Sequence, residues 1–77
     1  MIVKVLLKNG TLKAIDLETI DMDKLFELIK NCERIEFSSL ETMMNDEKIK
    51  RIIREVVKKG ILLIPEKCDN VWRVYLS

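Results

Sequence analysis

Hydrophobic and polar positions alternate along the first seventeen residues. Val3, Val5 and Leu7 are apolar, Lys4 and Lys8 are charged, and the pattern resumes after Asn9-Gly10 with Leu12, Ala14 and the apolar Ile15 and Leu17. A period of two predicts strands, and Asn-Gly between them predicts a two-residue type I′ turn with positive φ at both residues. Ile2 to Leu17 is therefore expected to be a β-hairpin. Its register would set Lys8 opposite Thr11, Leu7 opposite Leu12, Val5 opposite Ala14 and Val3 opposite Asp16. The face carrying Val3, Val5, Leu7, Leu12 and Ala14 would cover a core. The other face would mix Lys4, Lys8 and Lys13 with Ile2, Leu6, Ile15 and Leu17.

The period then lengthens. Met22, Leu25, Phe26, Ile29 and Cys32 repeat at helical spacing as one buried stripe, with Asp21 as N-cap and Asp23 favourably placed in the first turn. Asn31 is the expected left-handed end of that helix. Arg34-Ile35-Glu36-Phe37 alternates and predicts a short strand with Ile35 and Phe37 inward. Ser38-Ser39 offers caps for a short helix over Leu40 to Met44. Asn45-Asp46 leaves two readings, a break before a second helix or one helix of about five turns, and the break is favoured because both side chains compete for backbone hydrogen bonds. Glu47 to Lys59 is strongly amphipathic. At 100° per residue Ile49, Ile52, Ile53, Val56 and Val57 form one stripe, and Lys50, Arg51, Arg54 and Lys58 lie opposite. Gly60 ends this helix. Ile61 to Ile64 is a continuous apolar run, expected to be a central strand buried on both faces and ended by Pro65. Glu66 to Asn70 reads as a polar loop. Val71 to Leu76 alternates again, with Trp72, Val74 and Leu76 on one face and Val71, Arg73 and Tyr75 on the other.

These elements form an α+β chain of 77 residues, long enough for one domain (1–77) with a small, dense core. Two glycines, one proline and many charged residues are an economy expected of a thermophile protein. No charged leader precedes an apolar segment, and the longest apolar runs are about four residues, far short of a membrane span. Cys32 and Cys68 form no Cys-x-x-Cys pair and histidine is absent, so no zinc site, metal or cofactor is expected. Both thiols are read as free in a reducing cytoplasm.

Charge is distributed unevenly. The segment 47–59 carries six basic and two acidic side chains, a net charge of +4, which leaves −3 for the rest of a chain whose total is +1. A helix presenting Lys50, Arg51, Arg54 and Lys58 can lie along phosphates, although a solvated Lys/Arg face is an ordinary feature of thermophile-like proteins. No Asn or Gln on it reads adenine, so sequence-specific readout is not expected. Catalysis finds no foundation. Without histidine, Ser38, Ser39, Cys32 or Cys68 would need an unusual base, and Asp21 with Asp23, or Glu33 with Glu36, fit helix-start and strand-edge electrostatics better than acid–base work. Two glycines cannot build a phosphate loop. The chain is read as non-enzymatic.

Asp21 to Ser77 resembles a winged-helix domain, whose order is helix, short strand, helix, recognition helix and a two-stranded wing. Arg34-Ile-Glu-Phe-Ser-Ser resembles the short strand and Leu40-Glu-Thr-Met-Met the second helix. Lys48 to Lys59 resembles the recognition helix. Lys59-Gly60-Ile61-Leu62 resembles the step into the wing, and Arg73-Val74-Tyr75-Leu76-Ser77 its returning strand. The hairpin 1–17 is an addition to that pattern. The resemblance implies a DNA-binding protein that contacts duplex DNA through Lys50, Arg51, Arg54 and Lys58, with Lys48, Lys67 at the wing tip and Arg73 extending the footprint. The same string of elements also resembles ββαβαββ modules of β-grasp or anti-sigma-antagonist type, in which Ile35 to Ile64 would form a strand–helix–strand crossover with a parallel pair. That alternative implies a protein-interaction or assembly module. The mixed outer face of the hairpin further suggests a homodimer or other protein partner, and no membrane.

Overall fold

The computed structural model describes all of Met1–Ser77 except the side chain of Leu40, so the expected place of that leucine beside Met43 and Met44 lies outside the described residues. The elements are β1 (Ile2–Leu7), β2 (Leu12–Asp16), α1 (Met22–Lys30), β3 (Cys32–Phe37), α2 (Leu40–Asn45), α3 (Glu47–Lys58), β4 (Leu63–Cys68) and β5 (Val71–Leu76). The five strands make one sheet in the order β2-β1-β3-β5-β4, and every neighbouring pair is antiparallel. No parallel pair forms between β3 and β4, because β5 lies between them. The N-terminal hairpin is not an appendage: β1 pairs directly with β3.

All three helices lie on one face of this sheet. Val3, Val5, Ile15, Ile35, Phe37 and Val74 point from the strands, and Leu17 from just past β2, into a single buried cluster with Leu25 and Ile29 of α1 and Ile49, Ile52 and Val56 of α3. The helix N-caps are as the sequence predicts. Asp21 Oδ1 accepts from the Asp23 amide at 3.3 Å, Ser39 Oγ from Thr42 at 3.1 Å, and Asp46 Oδ1 from Ile49 at 3.0 Å. Asp46 is therefore the break between α2 and α3. At the far end, the Gly60 amide donates to Val57 O and the Ile61 amide to Val56 O, closing a Schellman motif with Gly60 at φ +81. A Cβ there would meet no atom within 4 Å, so the cost of Gly60→Ala is purely backbone. We expect a loss of about 1 kcal/mol, read as a lower urea midpoint with unchanged slope.

Four sequence-level expectations are corrected. The hairpin turn has three residues, not two. Leu7 and Thr11 close the loop, the Gly10 amide donates to Leu7 O, and Asn9 Oδ1 accepts from the Thr11 amide at 2.9 Å. Only Gly10 has positive φ, as expected of a type I turn followed by a glycine bulge rather than a type I′ turn. The register is consequently Val3 opposite Ile15 and Val5 opposite Lys13. A one-residue slip exchanges the faces of β2: Ile15 and Leu17 are buried, while Leu12 and Ala14 are exposed.

Asn31 has φ −109, not a left-handed value. Its side chain donates to Glu27 O at 3.0 Å and its carbonyl accepts from Lys8, so the chain turns straight from α1 into β3. The third correction concerns β4, which is an edge strand rather than a central one. It begins at Leu63, runs through Pro65 to Cys68, and turns at Asp69-Asn70, so most of the expected polar loop is strand. Proline is tolerated because an edge strand has one unpaired side. Ile64 and Leu62 are more than half exposed. Finally, Val57 is exposed, which narrows the buried stripe of α3 to Ile49, Ile52 and Val56 with Ile53 at its border. Both thiols are free; burial pushes the Cys32 thiol up to about 11.

Candidate nucleic-acid interface

The seven basic residues expected to form one footprint fall into three groups. Lys50, Arg51, Arg54 and Lys58 are exposed on α3, on the side away from Ile49, Ile52 and Val56. Burial of that apolar stripe against α1 and the sheet leaves the cationic side no other direction to face. Two of the four are partly neutralised within the helix. Lys50 Nζ lies 3.4 Å from Glu47 and Lys58 Nζ 3.9 Å from Glu55. Such exposed i,i+3 pairs are weak and readily exchanged for another anion. Among the described residues Arg51 and Arg54 have no carboxylate within ion-pair distance. Adjacent to this face, Lys59 was not expected to take part. Its ammonium lies over the Phe26 ring, 4.4 Å from the centroid, which holds the end of α3 to α1.

Lys48 forms the second group. Its ammonium donates to two main-chain carbonyls, Leu17 O at 2.5 Å and Ile20 O at 2.8 Å. These carbonyls belong to the connector between β2 and α1, so Lys48 pins the start of α3 to a segment about thirty positions earlier. It is a structural tie, not a free cation.

Lys67 and Arg73 form the third. Strand alternation separates them. Lys67 pairs with Trp72, whose ring packs on the core side, while Arg73 pairs with Glu36 on the opposite face. Arg73 Nε lies 3.7 Å from Glu36 Oε1. The sheet thus stands between Arg73 and α3, and the two cannot touch one straight duplex together.

The chain matches no family model, no curated protein and no solved structure. No helix is long and apolar enough to cross a membrane, and among the described residues no group of three or more Cys, Asp or Glu gathers as a metal site would require. What the geometry offers chemically is a convex cationic helix face on one side of the molecule and, on the other, an uncovered sheet.

Proposed function

We propose that this is a small non-catalytic protein that binds nucleic acid, duplex DNA first among the candidates, through phosphate contacts from α3. The observation that carries this reading is that Arg51 and Arg54, exposed beside Lys50 and Lys58, have no carboxylate at ion-pair distance among the described residues. A winged-helix arrangement of residues 21–77 is part of the same proposal. It is supported by the order α1-β3-α2-α3-β4-β5 and by the pairing of β5 with both β3 and β4. The footprint is Lys50, Arg51, Arg54 and Lys58, without Lys48 and Arg73.

Four phosphate contacts set the expected salt dependence. The slope of log K against log salt is expected near −3 to −4, so affinity falls about a hundredfold between 50 and 200 mM salt. The double substitution Arg51→Glu with Arg54→Glu is expected to weaken binding at least about tenfold on every duplex tested and to flatten the slope by roughly two. Mobility shifts and fluorescence anisotropy on several unrelated duplexes measure both. No shift at the lowest salt ends the proposal. A second reading, a protein-interaction module with no nucleic-acid role, is favoured by one observation: Ile2, Leu12 and Ile64 on the uncovered sheet are each more than half exposed.

A further inference from the structure

The sheet face turned away from the helices is ordered in two rows that run across the strands. In the first, Lys4 of β1 pairs with Glu36 of β3, Glu36 with Arg73 of β5, and Arg73 with Glu66 of β4. The charges read plus, minus, plus, minus. In the second, Leu6 pairs with Arg34, Arg34 with Tyr75, and Tyr75 with Ile64. The Nε atoms of Arg34 and Arg73 are buried without a hydrogen-bond partner.

An alternating row of four charges is complementary to its own reversal. A two-fold axis parallel to the strands, passing between β3 and β5, reverses both rows and lays them on a second copy. Lys4 then meets Glu66 of the other copy, and Glu36 meets Arg73. In the second row Leu6 meets Ile64, and Arg34 meets the Tyr75 ring. Moving the axis by half a strand spacing, onto β3, places Glu36 on Glu36 and Lys4 on Arg73, so the charges select one register. From this self-complementarity we propose that the open sheet face is the contact surface for a second copy of this chain, in an isologous, face-to-face dimer. Four strands at about 4.8 Å by six residues at about 3.4 Å make a patch of about 400 Å2 per partner, about 800 Å2 in total, which is below the roughly 1,000 Å2 of a stable interface and makes the contact a weak, transient one. The dimer directs its two α3 faces outward on opposite sides. The contact does not depend on what α3 binds.

The decisive experiment uses the spacing of Lys4 and Glu66. Three strand intervals, about 14 Å, separate them in one chain, so they meet only across the dimer. Sedimentation equilibrium up to about 0.5 mM is run on the wild type, Lys4→Glu, Glu66→Lys and an equimolar mixture of the two variants, with circular dichroism to verify that each is folded. Each variant alone places like charges together twice in the dimer, and its self-association is expected to weaken at least about tenfold. The mixture pairs every charge with its opposite and is expected to recover dimer as a heterodimer. A wild type that stays monomeric at the highest concentration overturns the proposal. So do variants that dimerise like the wild type, or a mixture no more associated than its components.

Discussion

Lys48→Met is expected to destabilise the protein by about 1.5–3 kcal/mol while leaving nucleic-acid affinity per folded molecule unchanged. The ammonium supplies two charge-assisted hydrogen bonds, to Leu17 O and Ile20 O. Methionine keeps the length and apolar stem of the side chain but leaves both carbonyls without their donor. Those carbonyls sit where the chain leaves β2 and approaches α1, so the loss is felt in the docking of α3 against the first half of the molecule. Lys50→Met, two positions along the same helix, loses only an exposed pair with Glu47 and should stay within about 0.5 kcal/mol of wild type. The two variants should exchange rank in a binding assay, where Lys50 matters and Lys48 does not. Urea unfolding together with anisotropy on one duplex reads both. Equal stability losses for the two lysines would refute the structural role given to Lys48.

The largest stability change is expected at Phe37. Its side chain is 2% exposed and is the largest of the fully buried ones. It stands at the end of β3 under α3, beside Ile49, Ile52 and Val56, where an apolar void of about 20 Å3 already exists. Truncation to alanine removes a ring from a site with little freedom to collapse, and about 3–5 kcal/mol should be lost. Total stability for 77 residues is on the order of 4–12 kcal/mol, so Phe37→Ala is expected to lose a large share of it and to melt well below the wild type. Tyr75→Ala removes an aromatic ring of similar size from the opposite face, where Tyr75 is half-buried beside Arg34 and Ile64. It should cost well under half as much. Thermal melts of the two variants measure the difference directly, and similar melting temperatures would contradict the assignment of the two sheet faces.

Much of this architecture was legible along the chain, and particular residues show why. Asp21, Ser39, Asp46 and Gly60 mark helix ends because a cap is a contract among neighbours within about four positions. Ile35 and Phe37 pointed inward for a similar reason, since alternation alone sets faces once one residue is placed. The hairpin register was harder. Asn9-Gly10 suits both a two-residue turn and a three-residue turn with a glycine bulge. A usable signal did exist: the three-residue turn brings Ile15 and Leu17 to the face of Val3 and Val5, with only Lys13 polar among them, whereas the two-residue turn would have brought Asp16 there, and that burial outweighs a turn preference.

The apolar run from Ile61 to Ile64 misled because exposure at an edge and burial in a centre leave the same letters. The seven basic residues appeared as one set because charge is additive in sequence and not in space. The sequence by itself determined where helices begin and end, which stripe of α3 is greasy, and that its cations lie opposite. Those features depend on residues within one or two turns of each other. Only the tertiary structure decided that β5 separates β3 from β4, that Lys48 is spent on Leu17 and Ile20, and that Arg73 belongs to the far side of the sheet. Each of these joins residues about thirty or more positions apart, and such pairings are chosen by which apolar faces can be buried together, a property of the whole fold rather than of any stretch of it.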